Sequence, residues 1–250
     1  MYTGFVRMIN TLNETHLHKT LKTLYALQHE GSATEVEIPP YIADIATADG
    51  DIIEIQTGSL SRLKEKAAHF VRQGRYVTVV YPLVVEKVIE TRTTDGKITR
   101  RKSPKKQHLY SMFRELTGLC SVLLDKNISL EVLEVAVTEE RFATEEPVQS
   151  KNGRRRFCKR WLKKGKRLES IKERHVFHGK RSWNLLLPHK VAEPFTKNDV
   201  YLALKSDGIP ASANEVSLML WVFAHMQLVI QDGKRGRENL YRRNTKALPD

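Results

Sequence analysis

The chain has 250 residues, with 42 Lys and Arg against 29 Asp and Glu, a formal net charge of +13 and a pI near 9.7. That excess makes polyanions the expected partners, nucleic acid above all. No apolar run approaches the about 20 residues of a membrane-spanning helix, and the N-terminus lacks a secretory apolar core, so no membrane partner is expected and the expected location is cytoplasmic. The two cysteines, Cys120 and Cys158, lie far apart, and no Cys/His cluster has structural-zinc spacing. His16 and His18, two apart on a predicted helix, point to different faces and are not expected to pair as ligands, while His175 and His178 stand alone in a basic segment.

The first region runs to about Val88. Asn13 can cap a helix over 13–29 with Leu17, Leu21, Leu24 and Leu27 as its apolar stripe, and Gly31 stops it. Strands are predicted at 34–38, 41–47 and 51–57, the last two joined by a turn at Ala48-Asp49-Gly50. After Gly58, Ser59 can cap a helix with Leu60, Leu63, Ala67, Phe70 and Val71 on one face, ended by Gly74. The nearly continuous apolar run 76–85 has the pattern of a parallel strand covered on both sides. Strand, helix and buried strand make a right-handed crossover, so a mixed sheet is expected.

The second region, 90–106, is polar and basic with a hairpin turn at Asp95-Gly96. A helix from Gln107 carries Leu109, Met112, Phe113 and Leu116, and 130–137 reads as another strand. The third region, 151–181, holds fourteen Lys and Arg against Glu169 and Glu173, a density that repels itself unless phosphate or solvent relieves it. Arg154, Arg155, Arg156, Lys159, Arg160, Lys163 and Lys164 are its candidate phosphate contacts; a solvated linker is the alternative. Phe157 and Trp161 interleave at i,i+4, the spacing of an aromatic pair on a helix.

The fourth region, from Glu193, resembles a winged helix. Thr196 can cap a helix at 197–205, Asp207-Gly208-Ile209-Pro210 makes a turn, and Ser212 or Asn214 can cap a helix through Met226. Two short strands follow around a Gly/Lys/Arg turn, so Lys234, Arg235 and Arg237 are expected on a DNA-contacting wing. The second helix is strongly apolar and largely buried, which shifts nucleic-acid contact to that wing. The expected division is a first domain at 1–148, a basic linker or DNA-gripping segment at 149–192 and a small domain at 193–250.

The hairpin at 41–57 carries the chemistry. If Ala48-Asp49-Gly50 is a three-residue loop with Gly50 in the left-handed position, Thr47 pairs with Asp51 and Asp44 falls opposite Glu54; a two-residue loop would set Asp44 against Ile55 instead. Gln56 then shares the face of Glu54, while Ile53 and Ile55 face the core. Two adjacent carboxylates repel unless a cation or proton lies between them. A hard divalent ion takes oxygen ligands and keeps waters, so Asp44, Glu54 and the Ile55 carbonyl are candidate ligands for Mg²⁺ or Mn²⁺.

Asp44, a hairpin turn and then Glu54-Ile55-Gln56, followed by an amphipathic helix and an apolar strand, resembles the PD-(D/E)XK nuclease superfamily in its Glu-x-Gln variant. The resemblance covers about residues 10–88. It implies an α/β fold with a restriction-endonuclease-like αβββαβ core and mixed sheet, metal-dependent hydrolysis of DNA phosphodiesters, Asp44 and Glu54 as metal ligands and Glu14 as an auxiliary acid. Asp44 follows Ala43 where that family has proline, and Gln56 stands where lysine is usual. The missing positive charge can come from Lys64, Lys66 or Arg62; otherwise Gln56 only positions water, or the site is weak. The expected substrate is duplex or branched DNA, and two active sites for two strands would call for a homodimer. The rival readings are a non-catalytic DNA-binding regulator with a degenerate nuclease core, and an RNA-binding or ribosome-associated protein with a structural acidic pair.

Overall fold

The computed structural model describes residues 15–149, 153 and 156–245. Helix α1 (His16–Gln28) is capped by Thr15, whose hydroxyl accepts from the His18 N–H; Asn13, the expected cap, lies outside the described residues. Its buried face comprises Leu17, Leu21, Lys22 and Tyr25, whereas Leu24 and Leu27 are exposed. Polar anchors on one side rotate the helix away from the purely apolar stripe. Lys22 Nζ donates to Glu35 (2.8 Å) and the Tyr25 hydroxyl to Glu131 (2.5 Å), so both polar tips are satisfied where they are buried.

Strands β1 (Ala33–Ile38), β2 (Tyr41–Ala46) and β3 (Ile52–Ile55) form an antiparallel meander. The chain then passes through a 3₁₀ turn (Leu60–Leu63) into α2 (Lys64–Arg72) and returns as β4 (Val77–Arg92), parallel to β3. β5 (Ile98–Lys102) turns back on β4. A second 3₁₀ turn (Leu109–Met112) leads into the short α3 (Phe113–Leu116), and β6 (Ile128–Val148) runs parallel to β4. The result is the mixed sheet that the strand–helix–strand pattern requires, in the order β1-β2-β3-β4-β6-β7 with β5 off β4.

Strand β7 (Lys159–Phe177) gives the basic segment a regular structure. The stretch expected as a linker or DNA-gripping segment, with Phe157 and Trp161 at helical spacing, is neither a helix nor a solvated linker but an edge strand paired antiparallel with β6 over most of its length. Spacing of four is ambiguous because it returns to the same face of a strand as well as of a helix. Trp161 lies in β7 and Phe157 just outside it, 74% exposed.

One face of the sheet is covered by α1 over Ile45, Ile53, Ile55, Val80, Leu133, Val135 and Val137. The other carries α2, α3 and the C-terminal unit over Ile52, Val77, Val79, Leu83, Leu130 and Val132. That unit comprises α4 (Gly179–Asn184), α5 (Lys197–Ser206), α6 (Ala213–His225) and the hairpin β8 (Val229–Arg235) and β9 (Glu238–Arg243). Thr196 and Ser212 cap α5 and α6 in reciprocal capping boxes with Asp199 and Glu215. Phe113 meets Phe223 edge-on at 5.6 Å, and the Tyr110 hydroxyl donates to the Leu186 carbonyl (2.8 Å), so the unit shares the core of the sheet.

Candidate functional site

The geometry begins with a turn. Thr47 N–H donates to the Asp51 carbonyl (2.9 Å), Gly50 N–H to the Thr47 carbonyl (3.0 Å), and Gly50 has φ +85°. This is the three-residue loop with glycine in the left-handed position. The same bonds recur at Thr93 to Lys97, with Gly96 at φ +86°, so a Thr-x-Asp-Gly segment makes the same turn twice. With Ile45 across from Ile53 and Ala46 across from Ile52, the register carries Asp44 opposite Glu54.

Side chains then replace the ladder. Asp44 N–H donates to Glu54 Oε1 (3.1 Å), and Ile55 N–H donates to Asp44 Oδ2 (2.8 Å). Because N–H and C=O of one strand residue leave on the same side, the Ile55 carbonyl is directed towards Asp44 as well. On the β1 side the ladder skips Glu35, which is held at φ +55°, an uncommon conformation for a residue with a side chain. Asp44 thus sits where regular pairing is interrupted on both flanks.

The charges are closely arranged. Glu54 is 1% exposed and Lys66 Nζ, from α2, donates to its Oε2 at 2.5 Å. His18 Nε2 of α1 lies 3.3 Å from Asp44 Oδ2. Burial, together with the Asp44 charge, pushes the Glu54 carboxyl up to about 7 despite Lys66. Burial also works against ionisation of Asp44, but the His18 contact, the Ile55 N–H and the Lys66 charge outweigh it and hold that carboxyl below its ordinary range. One acid is therefore ionised at neutral pH and its neighbour is poised near it. The donor set, two carboxylates and a backbone carbonyl, fits a hard divalent cation.

Of the candidate lysines, Lys66 enters the site. Lys64 is exposed at the start of α2, where its charge acts on the Cys120 thiol. Gln56 donates to the Ser59 carbonyl (2.7 Å), tying the end of β3 to the turn that leads into α2. Gly118 supports the same turn from the other side: a Cβ there would lie 2.8 Å from Ser61 Cα. Lys66 is positioned by both. Glu14 lies outside the described residues.

His18 was not legible as a site residue by ligand spacing, but it sits three and seven residues before Leu21 and Tyr25, on the sheet-facing side of α1.

The basic candidates divide. Arg154 and Arg155 lie outside the described residues. Arg156 approaches the Phe157 ring at 5.4 Å, Lys159 the Trp161 ring at 4.6 Å and Lys164 the Phe142 ring at 5.6 Å, while Arg160 and Lys163 are exposed on β7. In the C-terminal hairpin the turn is Gly236-Arg237, and Lys234 lies on β8. Arg235 is engaged with Asp199 (3.3 Å) and the Pro194 carbonyl (3.4 Å).

Among the described residues, no helix is long and apolar enough to cross a membrane. No solved structure matches the chain. An uncharacterized protein of Treponema pallidum (strain Nichols) is 31% identical over 236 residues, covering 94% of this chain and 87% of the relative. A family model described as a domain of unknown function, DUF8091, matches residues 15–178, from the cap of α1 to one residue past β7. The matched stretch takes in the whole sheet, basic edge strand included, and the chain belongs to the DUF8091 family.

Proposed function

We propose that the protein is a metal-dependent DNA endonuclease of the PD-(D/E)XK type. The observation that carries this reading is Lys66 at 2.5 Å from Glu54: the crossover helix supplies the positive charge that Gln56 lacks. The element order helix, three-stranded meander, helix and parallel strand supports it, as does the pairing of Asp44 with Glu54 at the end of β3. Asp44, Glu54 and the Ile55 carbonyl would hold Mg²⁺ or Mn²⁺, which when bound supplies an activated water and neutralises phosphate charge.

The chain's own residues do the rest. His18 and the Ile55 N–H keep Asp44 ionised and fixed in orientation. Lys66 offsets the charge of Glu54 and offers an ammonium to charge building on a phosphate oxygen. Gln56 is a positioning residue, acting through Ser59 on the start of α2. The helix–helix–hairpin unit at 193–245 fits a winged helix, with Lys234 and Arg237 on its wing.

The test incubates supercoiled plasmid and branched DNA with Mg²⁺ or Mn²⁺ and compares wild type with Glu54→Ala and Lys66→Met. Each substitution should lower cleavage by about a hundredfold or more while DNA binding in EDTA persists. Absence of cleavage by wild type, or equal cleavage by Glu54→Ala, would remove the catalytic reading and leave a DNA-binding protein with a degenerate core.

A further inference from the structure

Strand β4 is longer than its neighbours on one side. β6 accompanies it from Val77 to Arg92, so β3 and β5 must share its opposite edge. On that edge β3 pairing ends at Ile55 with Val80, and β5 pairing begins at Val88 with Lys102. Between them, among the described residues, the edge of β4 has no strand partner. At the far end of this gap is a cavity of about 240 Å³ whose lining includes Glu86, Lys87, Lys102, Ser103, Lys105 and Lys106.

We propose that this lysine-lined notch binds the phosphate backbone of duplex DNA. The reading rests on the proposed nuclease function for the identity of the polyanion, and it adds where the duplex is held.

Lysine outnumbers acid there. Across β6, Lys166 pairs in register with Glu139 and Lys163 with Arg141, on the face that also bears Lys87. Glu139 is already taken by Lys87 (3.5 Å) and Arg141, and Glu86, at the notch itself, by Lys172 (3.4 Å). Burial and the nearby charges of Lys163, Lys87 and Lys105 lower the Lys166 pKa, against the opposing pull of Glu139. A half-buried amine among like charges is an electrostatic cost that a bound phosphate reverses.

The notch and the candidate site lie along one strand. Lys87 lies seven residues along β4 from Val80, the partner of Ile55, no more than about 23 Å at the strand rise. That span corresponds to roughly seven base-pair steps of about 3.4 Å. Helix α1 links the candidate site to β7: its His16 ring lies 3.4 Å from where a Cβ on Gly165 would stand, next to Lys166, while His18 holds Asp44.

The experiment measures binding of a fluorescent 24-base-pair DNA duplex by anisotropy, in EDTA, across a series of KCl concentrations. The full chain is compared with a variant carrying Lys102→Gln, Lys105→Gln and Lys106→Gln at the notch and Lys163→Gln on the neighbouring β7, all exposed positions. A charge-matched control carries Arg72→Gln, Arg114→Gln, Lys126→Gln and Lys205→Gln, also exposed and outside the notch. The notch variant should lose about 2 to 4 from the slope of log K against log salt, since each phosphate contact contributes about 0.9. The control should lose less than about 1, and Lys→Arg replacements at the same four positions should keep the wild-type slope. An unchanged slope in the notch variant, an equal loss in the control, or tighter binding of an RNA duplex of the same sequence would overturn the proposal. Binding is read in EDTA, where no metal-dependent cleavage is measured, so failure of cleavage and failure of the notch are read separately.

Discussion

Strands β4 and β6 each begin inside the protein and end outside it. In the first half Val80, Leu133 and Val135 are buried under α1 on one face, and Val77, Val79, Leu83, Leu130 and Val132 under α2, α3 and the C-terminal unit on the other. In the second half the same strands carry Lys87, Glu90, Arg92, Glu139 and Arg141 and are joined by β5 and the basic part of β7. One ladder of backbone hydrogen bonds runs through both. The inner half is held by apolar burial. The outer half has little to bury and is held by its ladder and by ion pairs such as Glu90 with Arg100. Regular pairing can therefore carry a charged platform well beyond a core, provided that the strands which pair it are anchored there.

The comparison makes graded predictions. The largest effect belongs to the inner half: Phe113→Ala should cost about 3 to 5 kcal/mol in urea unfolding, because Phe113 is fully buried against Tyr110 and Phe223. A cost under about 1 kcal/mol would mean that the two units do not share a core.

Next comes the Glu54 carboxyl, inside the core but charged. Its raised pKa means that folding favours its protonated form; the associated stability is present in full below about 4.5 and is lost as pH rises through about 7. Glu54→Gln lacks that loss, so its stability relative to wild type, in EDTA, should rise between pH 4 and pH 8 by on the order of 3 kcal/mol. A difference that does not change with pH would show that Glu54 titrates as an ordinary carboxylate.

The smallest effect belongs to the outer half. Arg100→Ala removes an exposed partner of Glu90 and should shift stability by about 1 kcal/mol or less. A larger loss would mean that ion pairs and not the inner strands hold the platform. The four-lysine notch variant sharpens the contrast further: its unfolding free energy should stay within about 0.5 kcal/mol of wild type while its salt slope falls.

Much of the inner half was legible in the chain. The Thr-x-Asp-Gly turn offered a three-residue loop, and loop length decides which side chains meet, so that loop sets Asp44 opposite Glu54. The apolar run 76–85 indicated a buried parallel strand, and it is one. The basic segment was not legible. Its charge masked a strand pattern, and the i,i+4 aromatics fit two periodicities equally well. Likewise Leu24 and Leu27 looked like helix core until the polar anchors of α1 turned them outward.

Local chemistry, then, indicated what neighbours along the chain decide: the cap at Thr196, a cap at Ser212 or Asn214, the two turns, the crossover strand and, for a three-residue loop, the opposition of Asp44 to Glu54. Tertiary structure alone decided which distant groups complete the site. His18 and Lys66 reach the carboxylates from helices on opposite faces of the sheet, and the lysines of β4, β5 and β7 gather on one extension because strand order, not sequence order, sets their distances. Contact across a sheet depends on register and strand order over many residues, and no local spacing encodes that.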